Sequence, residues 1–446
     1  MSDLCAYEAE LDLPRPKAPP HVDPIVESLG MQVPTGTVPI RMAVVRSSPH
    51  SLEVEVGVLE GLDKADRARL AAMLRLRRRA VERSETFTTV MLVPTGIGCA
   101  IGGHAGDASA AVRLLAAVTD RLITHPNAVN ASDLNDLPEN ALYVEGSVLT
   151  RFLLGTAGLV PVRANRVLAV ADRDVDERFA EIAVNSAAAV RVTGGVNCTQ
   201  VLLLEPHVTL ASAYAPSGRA TGRVEHLERL LSVLEERRDS FDAVAISTRI
   251  EVPWSYHRDY YEQRGEMVNP WGGVEALLTH AVSSLLDVPT AHSPMFESRD
   301  AAAVEVGIVD PRMAAEVISL GFFVSVVEGL ARAPRIVPLA GPPDAGVLAV
   351  EDVSCLVIPD KVVGLPTLAA LDQGIPVVAV RENANVMAND LTSLPWRPGQ
   401  LRMVENYWEA AGVVAALRAG VDPATVRRPL ADLAVARPSA LRVLIP

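Results

Sequence analysis

The sequence predicts an α/β fold, with two Rossmann-like parallel-sheet domains behind an N-terminal α+β extension. Three observations carry this. Apolar runs rich in β-branched residues recur along the chain, each followed by a Gly/Pro/Asn/Ser-rich loop and an Ala-rich helical stretch. Such alternation points to a mostly parallel sheet covered by helices. Half of the 446 residues are apolar but only 4% are aromatic, which suits Ala/Val/Leu helices on buried strands. Five glycines crowd one strand-to-helix junction, Pro94–Ala108.

The elements follow in order. Residues 1–39 are Pro-rich and weakly periodic and read as an arm. Val38–Val45 and Leu52–Leu59 read as strands, and Lys64–Arg83 as a helix carrying the basic run Arg75–Arg79 on a solvated or subunit-facing side. Thr88–Val93 leads through the glycine loop into helix Asp107–Val118. Strand Arg121–Thr124 leads into His125–Asn135. Strands Val201–Glu205 and Thr209–Tyr214, loop Pro216–Gly222, helix Val224–Arg238 and strand Ala243–Thr248 come next. Helix Val274–Leu286 precedes strand Pro289–Ala291. Strand Ser354–Ile358, helix Thr367–Gln373 and strand Pro376–Val380 complete the pattern. At about 150 residues per domain the length predicts two or three domains: residues 1–86, 87–250 and 251–446.

Composition narrows the function. Net charge is −13, which disfavours nucleic acid as a partner. The longest apolar stretch, Ala314–Leu330, is interrupted by Glu316 and Glu328, so no membrane span is expected. It reads equally as a core helix or as the contact of a homodimer. The acidic start lacks a signal pattern, and Cys5, Cys99, Cys198 and Cys355 form no CxxC pair. Both suggest a cytoplasmic protein with reduced thiols. Lys361 is the sole lysine of the second half and has no Schiff-base context. Nothing signals pyridoxal phosphate or haem. The cofactor is otherwise unknown, and a divalent metal stays open.

Ligands of open α/β sheets bind beyond the carboxyl ends of the strands, so the loops there hold the candidate site residues. Gly96, Gly98, Gly102, Gly103 and Gly106 allow positive φ and close backbone approach. With Thr95 and the following helix N-terminus, they suit a phosphate or carboxylate. No lysine makes this a P-loop, and the spacing is not GxGxxG. His104 and Asp107 are proton-transfer candidates; the competing reading is a tight turn with Asp107 capping the helix. His125, Asn127 and Asn130 suit a polar substrate, or simply a turn. Glu145 is an acid–base candidate or a helix cap. Arg219 suits an anion clamp, with hydroxyls from Ser217 and Thr221, or is a solvent-exposed loop arginine. Thr248 ends a strongly apolar strand. His292 follows another strand, and a structural histidine is the alternative there. Glu275 and His280 lack HExxH spacing. Arg381, Glu382 and Asn383 follow the strand ending at Val380.

The strings PTGIGCAIGGHAGDA, THPNAVNASDL, SGRATG, NPWGGVEALLTHA, VDPRMAAEVIS, GLPTLAALDQGIPVVAVREN and VENYWEAAGVVAALRAG resemble a bacterial and plant family known as domain of unknown function 3326. That resemblance implies no catalytic residues. A weaker likeness links Gly102-Gly103-His104 and Gly364–Val378 to two-domain, GT-B-like glycosyltransferases and nucleotide-sugar epimerases. Ala369 stands where those enzymes carry an acidic residue. The expected function is an enzyme converting a small, polar, anionic metabolite in an interdomain cleft, with group transfer from a phosphorylated or nucleotide donor first. The alternatives are a lyase or hydrolase without an organic cofactor, and a non-catalytic metabolite-binding or scaffold protein.

Overall fold

Three sheets organise the chain in the computed structural model, which describes residues 3–15, 21–173, 177–296, 306–318, 321–433 and 435. The larger parallel sheet has six strands in the order Leu401–Val404, Val377–Val380, Val353–Pro359, Thr88–Met91, Arg121–Thr124 and Ala141–Tyr143. Its strands are nearly continuous apolar runs, as burial on both faces requires. The chain builds this sheet outward from the middle, first through 88, 121 and 141, then through 353, 377 and 401. The smaller parallel sheet runs Val201–Leu204, Val167–Asp172, Ala243–Arg249, Thr290–Met295. The third sheet is antiparallel: Thr209–Tyr214, Ala220–Glu225, Cys5–Pro14, Ser51–Glu60, Val38–Ser47, Val363–Gly364.

The α/β class and most expected strands agree with this, but the segment boundaries do not coincide with the sheets. Val353–Pro359 pairs with Thr88–Met91, and Ala243–Arg249 pairs with Thr290–Met295, so a cut at 250/251 divides both parallel sheets. A cut at 86/87 divides the antiparallel one, because Cys5–Pro14 pairs with Ala220–Glu225. The supposed arm is that strand, followed by helix Val22–Gln32. Pairing across long sequence separations leaves no local periodicity signal.

The basic run is likewise not a helix face. The helix stops at Met73, and the arginines turn back onto the chain. Arg77 forms a bidentate pair with Glu351 at 2.7 and 3.0 Å, and Arg79 donates to the carbonyls of Val353 and Gln373. The Ala314–Leu330 stretch is two helices, Ala314–Val317 and Phe322–Ala331; residues 319–320 lie outside the described ones. Phe323, Val326, Val327 and Leu330 are buried within the chain, which answers for the apolarity that suggested a dimer contact.

A buried ionic quartet joins the antiparallel sheet to helix Gly272–Leu286. Arg41 meets Glu8 at 2.5 Å, and Arg219 meets Glu55 at 2.5 Å and Glu8 at 3.2 Å. Burial raises the Glu8 carboxyl, but Arg41 and Arg219 outweigh it and bring it down to about 2. Arg41 also donates to the Gly273 carbonyl at 3.3 Å. Beside it the Ala220 carbonyl presses against Gly96 and Gly273. A Cβ at Gly273 would lie 2.1 Å from that oxygen and 2.3 Å from its carbon, both rigid backbone atoms. Gly273→Ala should therefore cost about 1–3 kcal/mol through forced backbone shifts. Chemical denaturation measures it, and an unchanged midpoint would contradict so close an approach.

Candidate functional site

One cavity of about 270 Å³ opens between the carboxyl ends of the two parallel sheets. Thr95, Gly96 and Gly103 reach it from the larger sheet's glycine loop, His125, Asn127 and Asn130 from the next strand, and Glu145 with Gly146 from the third. Ser247 and His292 reach it from the smaller sheet. Helix Gly272–Leu286 forms the wall between. Its Val274, Leu277, Leu278, Ala281 and Val282 are buried in the core, while Gly272, Glu275, Ala276 and His280 keep partial exposure on the cavity side. Helical spacing thus puts an acid and an imidazole on one wall.

His280 Nδ1 lies 2.6 Å from Glu145 Oε1. Glu145 is the N-cap of helix Gly146–Leu154. Its Oε2 accepts from the Ser147 and Val148 N–H groups at 2.9 and 3.2 Å and from the Ser147 hydroxyl. Thr279 donates to Oε1 at 3.2 Å. Burial raises this carboxyl, but His280 and these donors prevail and hold it below the usual range. The candidate acid–base group and the candidate cap are therefore one residue. The His280 ring lies over the backbone of Gly146, where a Cβ would come within 2.9 Å of Cε1.

His292 forms the second pair. Its Nε2 lies 2.9 Å from Thr248 Oγ1 and accepts weakly from the Thr248 N–H at 3.4 Å; its Nδ1 faces Glu275 Oε2 at 3.3 Å. Thr248 is fully buried and positions the ring from behind; it is not a lining residue. His125 Nε2 accepts from the Val93 N–H at 2.9 Å, which leaves the proton on Nδ1. Burial keeps this imidazole neutral, with its pKa down to about 4.

The glycine loop is occupied by the chain's own carboxylates. Glu316 Oε1 accepts from the Ala105 N–H at 2.7 Å and from Asn269 at 3.1 Å, and Oε2 accepts from the Tyr260 hydroxyl at 2.7 Å. Asp107 accepts from the Gly102 N–H at 2.6 Å. It does not cap the helix, which begins at Ser109 behind Ala108. Burial raises both carboxyls to about 7 against these bonds. His104 contacts the same Tyr260 oxygen through Nδ1 at 2.7 Å, and burial lowers it to about 4. It stands behind the wall rather than on it. Gly98 and Gly102 have positive φ and pack against Val268 and Val93, so they shape the turn.

The other expected binding residues lie elsewhere. Arg219 belongs to the buried quartet, Ser217 donates to Glu55, and Thr221 is buried on the strand Ala220–Glu225. Arg381 pairs with Glu405 on the surface, and the Glu382 N–H donates to the Glu405 carbonyl. Asn383 exchanges bonds of 2.9 Å with both backbone groups of Ile101, and Ala100 and Ile97 bond Ala384 and Val386. Residues 383–386 thereby fill the crevice between strands Thr88–Met91 and Val353–Pro359. The segment Gly364–Val378 lines no part of the cavity; its helix Leu365–Gln373 is almost wholly buried. Among the described residues only Asp3, His226 and Glu228 gather three metal-type ligand atoms, and none of them lines the cavity. Sequence reasoning weighed Glu275 and His280 only as a metal pair and missed Glu316, Tyr260, Asn269, His257 and Trp271. Half-exposed polar positions on an otherwise apolar helix were the legible signal.

The chain is thus an α/β protein with a cleft at its strand ends, lined by paired carboxylates and imidazoles. The chain belongs to the family described as proteins of unknown function (DUF3326), whose model matches residues 88–427. It is 33% identical over 348 residues, 76% of this chain and 93% of the other, to a Synechococcus protein named an uncharacterized lipoprotein. That name overturns the cytoplasmic placement expected from the sequence. No solved structure matches the chain.

The pKa directions set a pH dependence. Asp107 and Glu316 are raised from 3.8 and 4.5 to about 7, so they contribute stability at low pH that is lost as pH rises to about 7. The Asp107→Asn, Glu316→Gln double variant lacks that loss. Its stability relative to the parent should rise steadily between about pH 4 and 7, read by urea denaturation across the range; a flat difference contradicts the assignment.

Proposed function

We propose that the protein is an enzyme that moves protons on a small metabolite held in this cleft, a lyase or hydrolase chemistry rather than transfer from a nucleotide donor. The Glu145–His280 dyad carries the reading. A carboxylate 2.6 Å from Nδ1 favours the tautomer with the proton on Nδ1 and Nε2 bare. Gly146 lets the ring lie where Nε2 serves the cavity as general base. Glu316, with its pKa at about 7 on the same cavity, is suited to return a proton near neutrality. The crevice that would suit a nucleotide is filled by residues 383–386, which supports proton transfer over nucleotide-dependent transfer.

We also read the larger sheet as Rossmann-like. Its spatial order, with strands numbered within that sheet, is 3-2-1-4-5-6. The cavity lies on the 3-2-1 half, at the ends of the strands that precede Thr95, His125 and Glu145. The lipoprotein name of the Synechococcus relative is carried over to this chain as its setting.

Incubation with metabolite mixtures in D₂O tests the function, with NMR detecting exchange of substrate hydrogens. His280→Asn should slow exchange by about 10²–10⁴-fold, the range of general-base catalysis. Glu145→Gln should slow it less and shift its pH profile. Parent-like exchange in His280→Asn removes the dyad from the chemistry.

A further inference from the structure

We infer that the cavity recognises a protonated amine, held by Glu275 beside the ring of Trp271. This rests on the cavity being the substrate site.

Charge comes first. The ionisable residues among the described lining are three carboxylates, four imidazoles and the Tyr261 phenol, with no lysine or arginine. Arg219 and Arg381, the side chains suited to an anion, are committed to Glu55 with Glu8 and to Glu405. Five backbone donors at the helix starts and the glycine loop are also taken. Glu145 accepts the Ser147 and Val148 N–H groups, Asn269 Oδ1 accepts those of Trp271 and Gly272, and Glu316 accepts that of Ala105. An anion entering here would meet carboxylates where helix ends normally offer N–H groups.

Glu275 differs from the other two acids. Glu145 is held by four donors and His280, and Glu316 by three donors. Glu275 faces His292 Nδ1 at 3.3 Å, and its side chain keeps 22% exposure on a cavity-lining position. Trp271 stands one helical turn before it, where side chains four apart are neighbours. The indole is set edge-to-face by His257 at 5.3 Å and by Tyr260 at 5.3 Å. A carboxylate with free acceptor capacity beside an oriented indole is the combination that binds an ammonium, by charge and by cation–π attraction.

Three probes of one skeleton test this by calorimetry on the full chain: 2-phenylethylamine, 2-phenylethanol and 3-phenylpropanoate. The amine should bind at least about tenfold more tightly than either partner. Glu275→Gln should erase the preference, Trp271→Leu should weaken it, and unliganded melting curves establish that both variants fold. His280→Asn should keep it, because the base is not the amine's anchor. Equal or tighter binding of the alcohol or acid, no binding by the amine, or a preference that survives Glu275→Gln each overturns the inference. Failure of the proton-transfer reading is separate: exchange undiminished in His280→Asn, with amine preference intact, removes only that reading.

Discussion

The Ala220 carbonyl sits against Gly96 on one side and Gly273 on the other, and nearly every feature of the cleft is referred to that contact. Gly96 opens the loop after the central strand, and Gly273 lies in the first turn of the helix that carries Glu275 and His280. Ala220 opens a strand of the antiparallel sheet. The larger parallel sheet, the antiparallel sheet and the helical wall of the cavity therefore meet within one backbone thickness. Arg41 and Arg219, buried with Glu8 and Glu55, clamp the same junction. Removing one member of such a network leaves an uncompensated buried charge, so the geometry is held as a unit.

Much of the architecture was legible in the sequence. Strands Arg121–Thr124 and Thr209–Tyr214 appear at their expected limits, because short apolar runs bounded by turn residues are local signals. The strand Cys5–Pro14 was not, since its acidic alternation gains meaning only beside Ser51–Glu60 and Ala220–Glu225. The site was legible to a similar depth. Loops 95–103, 125–130 and 145–146 and His292 do converge. Arg219 misled because an arginine in a Gly/Ser loop reads as exposed, while its partners Glu8 and Glu55 lie far away in sequence.

The glycine loop illustrates a different kind of substitution. Its composition suits an anion, and anions do occupy it, but they are Glu316 and Asp107 of the same chain. Supplying the carboxylate internally satisfies these donors and removes the loop's call for an anionic ligand. It also stores two carboxyls whose protonation changes near neutrality, because burial opposes their charge more than the hydrogen bonds favour it.

The pairing of the antiparallel sheet also bears on modularity. The family-matched stretch 88–427 contributes three of its six strands, Thr209–Tyr214, Ala220–Glu225 and Val363–Gly364. The other three, together with the Arg77 and Arg79 strap, precede residue 88. Excised alone, the matched stretch would expose the free edges of Ala220–Glu225 and Val363–Gly364, strip the partners from Arg219, and leave Glu351 without Arg77. Sequence-family limits and the cooperative folding unit are different things in this chain, and the smallest autonomous piece extends upstream of the former.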